Sequence, residues 1–311
     1  MKKRLAIIDL GTNTFHLLLA EQQETGYSIF HTEKLAVRLG VRGINEDRIQ
    51  DDAVLRAVDA LKKFKNTIDD AGISVIHAVG TSALRNARNS QAVTETIKKE
   101  TGIDITIISG EKEAEFIYYG VRTALELGKD NSLVMDIGGG SVEFIIGNQA
   151  AIHWKQSIEI GGQRLLEKFQ HHDPITKEEI ISLDRYLETA LPTLFDALAL
   201  HKPTTLAGSS GTFDTLSDIH CIRQGILKSK DAPETPLTLE SFYIIYEELI
   251  SKNRAERLLI PGMVEMRVDM IVVTCCLIRF ILERYAFEKI RVSGYSLKEG
   301  VLAYLGGVDG R

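Results

Sequence analysis

"LVMDIGGGSVEF", Leu133 to Phe144, drives an apolar run through Asp136 and Ile137 into three glycines and Ser141, then resumes as an apolar run. Glycine has no Cβ to stand between backbone N–H groups and a ligand, so a turn of this composition brings amides within reach of an anion. A phosphate is the natural occupant. In P-loop and dinucleotide folds a helix follows such a turn. Here "SVEFIIGNQAAIHWKQSIEI" continues as a strand, a Gly-Asn-Gln turn and a second strand, so the glycines tip a β-hairpin.

The N-terminal stretch "LAIIDLGTNTFHLLLAEQ" has the same grammar, with Asp9 before Gly11 as Asp136 stands before Gly138. A duplication separated by nearly half the chain predicts two similar domains flanking a cleft, not a short-period solenoid. "FHLLLAEQQETGYSIFHTEKLAVRLG" reads as a strand, a polar turn and two further strand-like runs. Val54, Leu55, Val58, Leu61, Phe64 and Ile68 then recur at helical spacing. "ISVIHAVGT" predicts a strand, 83–100 a helix, "IDITIIS" a strand and 111–127 a helix. Further on come long helical stretches, a strand-to-helix turn at "TTLAGSSGT", a loop at "LKSKDAPETPLT" and an apolar helical stretch over 263–281 that reads as core. The fold class is α/β.

Composition limits the partners. With 37 Lys+Arg against 43 Asp+Glu the formal charge is −6, which argues against broad binding to nucleic acid or to an anionic membrane. Three cysteines, two of them adjacent at 275 and 276, form no disulfide framework or metal motif and suggest a reducing cytoplasm. Asp9, Asn13 and His16 interrupt the apolar N-terminus where a signal peptide would be continuous, and the run from Met270 to Ile278 is too short to span a bilayer. The eight histidines are dispersed and make no zinc or Ser-His-Asp pattern.

In order along the chain, "IIDLGTNT", "VRLG", "GTSALRNARN", "ISGEKEAE", "VMDIGGGSVE", "GSSGT", "ERLLIPGM" and "VSGYSLKEGVL" resemble the exopolyphosphatase and guanosine pentaphosphate phosphohydrolase family of the actin-like ATPase (ribonuclease H-like) superfold. The resemblance covers nearly the whole chain. It implies an N-terminal domain over 1–126, onto which a terminal helix at about 297–311 packs back, and a C-terminal domain over 127–296. Longer members carry further helical domains, so this chain resembles the short form. Arginine commonly follows "EEA" in the family; Glu115 stands there instead, and a phosphate contact from that position is lost.

The resemblance implies hydrolysis of the terminal phosphoanhydride of inorganic polyphosphate, assisted by Mg²⁺, with guanosine pentaphosphate as the alternative substrate. A homodimer is the candidate assembly. An actin-like kinase or ATPase and a non-catalytic sensor of polyphosphate or nucleotide are more distant readings. Phosphoryl transfer needs donors around the nonbridging oxygens, a cation, and a group that orients or deprotonates the nucleophile. The candidate donors are Gly11, Thr12, Asn13 and Thr14 in the first turn, Gly138, Gly139, Gly140 and Ser141 in the second, and Gly208, Ser209 and Ser210 in "AGSSGT". Arg85 is a candidate phosphate ligand by family match and by its planar fork, with Arg88, expected on the same helical face, and Arg38 undecided. By its position before Ala114, Glu113 matches the family glutamate that activates water; acidic residues also suit any first helical turn. Asp136 and Glu143, with Asp9 as their counterpart, are candidate Mg²⁺ ligands, while Asp136 could equally bond its own turn.

Overall fold

The computed structural model describes residues 3–24, 26–229 and 232–307. Positions 308–311 of the expected terminal helix, and 230 and 231 of the charged loop, lie outside the described residues. Contacts divide the chain into two units: Met1–Gly120 with the segment that begins at Leu297, and Val121–Ser296.

The first unit opens with an antiparallel meander, β1 (Arg4–Leu10), β2 (Thr14–Gln22) and β3 (Tyr27–Ala36). It continues through α1 (Asp51–Asp70), β4 (Ile76–Gly80), α2 (Ser82–Asn86), α3 (Ser90–Thr101), β5 (Ile105–Ile107) and α4 (Gly110–Leu125). β4 and β5 join in parallel, giving the order β3-β2-β1-β4-β5. β1 is an almost unbroken apolar run because it is central: Leu5, Ala6, Ile7, Ile8 and Leu10 are all buried. β3 lies at the edge, half-exposed, and carries Glu33 and Lys34, charges that discourage pairing with another chain's edge.

The second unit repeats this plan. β6 (Ser132–Ile137), β7 (Val142–Gly147) and β8 (Ile152–Ile158) form its meander, followed by α5 (Gly162–Phe169), α6 (Lys177–Ala190), α7 (Pro192–His201), β9 (Thr205–Ser209) and α8 (Ser210–Gln224). The short β10 (Glu234–Thr235), α9 (Leu239–Ser251), α10 (Arg254–Leu258), α11 (Ile271–Arg284) and β11 (Lys289–Ser293) complete it. The sheet order is β10-β11-β9-β6-β7-β8, with β9 parallel to β6 and β11 parallel to β9. Without β10, the order and strand directions are those of the first sheet. Both turns that carry an Asp and a glycine therefore occupy equivalent places, between the first two strands of each meander.

α12 (Leu297–Leu305) belongs to the first unit, where it packs on β1 and α4. Lys112 of α4 lies over the rings of Phe116 and Tyr304, at 4.6 and 4.3 Å, while donating to Glu115 at 2.7 Å. Tyr119 also donates to Glu115, at 3.3 Å. Glu115 is thus spent inside a helix–helix contact.

Tertiary contacts override four local readings. Leu55 shares the helical spacing of α1 but is 68% exposed, so the buried stripe runs through Val58, Leu61, Phe64 and Ile68. The two strand-like runs after the first hairpin turn are a single strand, β3, and Val37–Gly40 leaves the sheet. The helix expected over 83–100 is broken at 87–89, because Asn89 exchanges two hydrogen bonds with the Ile49 backbone and Arg88 N–H donates to the Asp47 carbonyl. Arg88 therefore shares no helical face with Arg85. The expected 263–281 helix begins only at Ile271, because Arg257 donates to the Val268 carbonyl and Arg254 to Asp269, holding the preceding segment in turns.

A Cβ on Gly300 would stand 1.6 Å from the Phe116 carbonyl oxygen of α4. Gly300→Ala must push the helices apart, and the cost of such overpacking is about 1–3 kcal/mol. The midpoint of urea unfolding should fall accordingly; an unchanged midpoint would show that α12 adds nothing to the first unit's stability.

Candidate active site

Each glycine turn is built by turning its carbonyls away. In the second unit Gly138 N–H closes the turn on the Ser141 carbonyl at 3.0 Å. The three glycine carbonyls are all taken by the chain entering α5: Gly138 O accepts from Gly162 N, Gly139 O from Gln163 N, and Gly140 O from Gly161 N, at 2.8–3.0 Å. Arg164 Nε adds a bond to Gly140 O at 3.0 Å. In a trans peptide the next residue's N–H points opposite to the carbonyl, so the amides of Gly139, Gly140 and Ser141 share the other face. Outward backbone amides in a turn are the kind of group that anion-binding concavities use.

The first unit uses the same device with another segment. Gly11 N–H closes on the Thr14 carbonyl at 3.2 Å. The carbonyl of Thr12 accepts from Gly40 N, and that of Asn13 from both Val37 N and Arg38 N. This is why Val37–Gly40 leaves the sheet, and Arg38 adopts a left-handed φ of 54° to make the connection. The amides of Asn13 and Thr14 consequently face the opposite way.

Glu113 and Arg85 meet in the first unit. Ser109 Oγ accepts from Lys112 N at 3.2 Å, capping α4 and setting Glu113 in its first turn. Arg85, in the last turn of α2, donates from Nη1 to Glu113 Oε2 at 2.7 Å and to the Ile108 carbonyl at 3.3 Å. Glu113 is only 7% exposed, which disfavours its charge, while the adjacent guanidinium favours it.

In the second unit Asp136 is ringed by hydroxyls. Its Oδ2 accepts from Ser209 at 2.6 Å, Ser210 at 2.7 Å and Ser296 at 2.5 Å, and its Oδ1 accepts from Ser210 at 2.7 Å. Glu143 is its antiparallel partner across β6 and β7, hence on the same face, and accepts from Ser157 at 2.6 Å. Asp9 is paired in register with His16 and Val79 and lies beside its own turn. Gly208 is bare because the Phe213 ring would lie 2.2 Å from a Cβ there. Phe213 itself is fully buried in the core and offers no face to a base.

No group of three or more His, Cys, Asp and Glu side chains gathers among the described residues. Asp136 and Glu143, two hard carboxylates on one sheet face, fit Mg²⁺ in its usual manner, with waters and substrate oxygens completing the shell.

The sequence model of the Ppx/GppA phosphatase family matches residues 18–305. The chain belongs to the Ppx/GppA phosphatase family. It has the actin-like ATPase fold of that family's structures. A solved exopolyphosphatase from Cytophaga hutchinsonii is 43% identical, with a TM-score of 0.95 over 98% of both chains. The Ppx/GppA family member of Aquifex aeolicus is 24% identical with a TM-score of 0.80 over the full length of both. A guanosine-5'-triphosphate,3'-diphosphate pyrophosphatase from Pseudoalteromonas translucida is 30% identical over 302 residues. Those residues are 97% of this chain and 59% of the relative, so the chain spans little more than half of that curated protein. Among the described residues no helix is long and apolar enough to cross a membrane.

Three positions near these groups escape a reading of the sequence. Arg267 lays its guanidinium on Gly211, where a Cβ would come within 2.2 Å of its Cζ, and its Nε has no hydrogen-bond partner. Burial pushes the Arg267 pKa below its ordinary value, against the raising influence of Asp214 and Asp136. Ser296 reaches Asp136 from 160 positions away. The third is Gly161, whose N–H donates to the Gly140 carbonyl; nothing local in "EIGGQR" names that partner.

A Cβ on Gly161 would stand 2.4–2.5 Å from the backbone of Gly139 and Gly140. Gly161→Ala must displace the second turn, and a shift of about 1 Å in such a site costs on the order of 10²-fold in rate. We expect that loss in kcat/KM for phosphate release, with the far-UV circular dichroism unchanged. Full activity would mean that the turn does not hold substrate.

Proposed function

We propose that the chain is an exopolyphosphatase, hydrolysing the terminal phosphoanhydride of inorganic polyphosphate. The observation that carries this reading is the Arg85–Glu113 pair, which sets a phosphate-binding fork and a proton acceptor side by side. A phosphate competes with Glu113 for the Arg85 guanidinium, since both present oxygens to the same donors. Substrate binding therefore loosens the ion pair and leaves the Glu113 carboxylate to accept a proton from water. The water oxygen bonds to the terminal phosphorus, the bridging P–O bond breaks, and the shortened chain leaves with the bond's electrons.

The outward amides of each glycine turn, taken unit by unit, are donors suited to nonbridging oxygens, where charge is spread in the transition state. Bound Mg²⁺ supplies charge neutralisation at the substrate oxygens. Asp136 and Glu143 are the residues that would hold it, and Asp9 is the corresponding carboxylate of the first unit. Ser209 and Ser210 serve this site by fixing Asp136, which takes up their hydroxyl protons. The three unpaired cysteines, all buried, suit a reducing cytoplasm.

Guanosine pentaphosphate is the second reading, favoured by the Pseudoalteromonas translucida relative and requiring the same bond to be broken. Phosphate release from short polyphosphate, long polyphosphate, guanosine pentaphosphate and ATP, measured side by side, decides between the two. We expect kcat/KM for short polyphosphate to exceed that for ATP by about tenfold, a difference of roughly 1.4 kcal/mol in transition-state stabilisation. Comparable values, or transfer from ATP to a sugar, would overturn the reading.

Glu113→Gln should keep polyphosphate binding while lowering kcat by about 10²-fold or more, the scale of a lost general base. Near wild-type turnover would assign water activation to another group. Asp136→Asn and Glu143→Gln should each raise the Mg²⁺ concentration needed for half-maximal activity, and unchanged dependence in both would leave these residues to turn structure.

A further inference from the structure

Asn89 stands where a helix cap belongs, and it does not cap. It immediately precedes α3, and asparagine is among the preferred N-cap residues, whose side chains accept from the backbone N–H of the second or third helical residue. Its side chain makes no such bond, and its backbone, at φ −96° and ψ 15°, lies outside the extended region that caps adopt. The amide is turned to residue 49 instead: Oδ1 accepts from Ile49 N at 3.0 Å, and Nδ2 donates to the Ile49 carbonyl at 2.8 Å. An ionised carboxylate could accept there but not donate, and a serine hydroxyl is shorter and offers one atom where the amide offers two.

The two ends of this bridge lead to the two groups of the first unit assigned to phosphate. On one side Ile49 ends the segment 37–49, whose Val37, Arg38 and Gly40 amides hold the Asn13 and Thr12 carbonyls of the glycine turn. That segment keeps three non-glycine residues in left-handed backbone, Arg38, Arg42 and Asp47, at φ 52–60°. Such conformations persist only where the surroundings over-determine them, and Arg88 N–H adds a second tie, to the Asp47 carbonyl at 2.8 Å. On the other side Asn89 follows Arg85 by four residues. Parallel pairing of β1 with β4 sets Leu10 beside Gly80, and Thr81 Oγ1 donates to the Leu10 carbonyl at 3.3 Å. The glycine turn and α2 therefore leave the sheet side by side, at the carboxyl ends of neighbouring parallel strands, where open α/β sheets bind ligands. We propose that Asn89 is a positioning residue: by tying Ile49 to the junction of α2 and α3, it fixes the first glycine turn relative to the Arg85 guanidinium, so that one phosphate group meets both. A residue present only to start α3 would cap it. The inference rests on the assignment of Arg85 and the first turn to phosphate in the hydrolase reading given above.

Asn89→Ser separates the two roles, because serine caps a helix as well as asparagine does but cannot serve both Ile49 groups. Asn89→Asp is the second variant, keeping the shape and the acceptor while losing the donor. Tripolyphosphate is the probe, titrated calorimetrically into the full chain without divalent cation. Each variant should weaken its binding by about tenfold, and kcat/KM for phosphate release should fall by a similar factor, since a loosened site costs less than the roughly 10²-fold of a 1 Å displacement. In an Arg85→Ala background nothing remains to be aligned with the turn, so Asn89→Ser should add less than about twofold; a purely structural loss would add its full factor there. Wild-type tripolyphosphate affinity in Asn89→Ser, or an equal loss in both backgrounds, overturns the proposal. The unsubstituted chain separates the two levels. If it binds tripolyphosphate but releases phosphate from neither polyphosphate nor guanosine pentaphosphate, the hydrolase reading falls, while the binding comparison still decides the role of Asn89.

Discussion

The backbone hydrogen bonds that hold the glycine-turn carbonyls are the constraint on which the rest depends. A tight turn exposes both donors and acceptors, and an anion tolerates only the donors. In the second unit the amides of residues 161–163 take the carbonyls of Gly138, Gly139 and Gly140; in the first, residues 37–40 take those of Thr12 and Asn13. Both solutions sort the peptide dipoles, acceptors to one side and donors to the other. Because the partners are backbone amides, the arrangement is insensitive to side-chain identity, but it demands close approach. Gly161 meets that demand in one unit and Gly40, whose Cβ would lie 2.4 Å from Thr12 Cγ2, in the other.

On this shared scaffold the two units carry different chemistry. The first pairs a carboxylate with a guanidinium, Glu113 with Arg85. The second surrounds a carboxylate with hydroxyls, Asp136 with Ser209, Ser210 and Ser296, and opposes it to Glu143 across two strands. An ion pair yields to a competing anion, whereas hydroxyls that donate to a carboxylate have no reason to leave it for a phosphate. The sequence similarity of the turns therefore does not extend to their surroundings.

Glu115 is an acceptor taken up by the packing of the first unit. A carboxylate at that place cannot bind phosphate, and here it accepts from Lys112 and Tyr119 within the contact between α4 and α12. Lys112 is drawn over Phe116 and Tyr304 in the process. The Glu115 side chain becomes part of the packing that holds α4, and with it Glu113, in place.

The sequence by itself determined the duplicated hairpins, because strand, glycine turn and strand are local patterns and Asp9 and Asp136 mark equivalent points in them. It also determined that Glu113 opens a helix, since a serine cap and an acidic first turn lie within five residues. Tertiary structure alone decided where that order breaks. Asn89 interrupts a helix because Ile49, 40 residues away, offers it two hydrogen bonds. Arg257 unwinds the residues before α11, and the freed segment brings Arg267 to Gly211. The partners of Asp136 come from positions 73 to 160 residues distant, and Ser209 and Ser210 became its donors only there. A local pattern carries propensity and direction, but which acceptor a hydroxyl's single proton finds is a property of the folded neighbourhood.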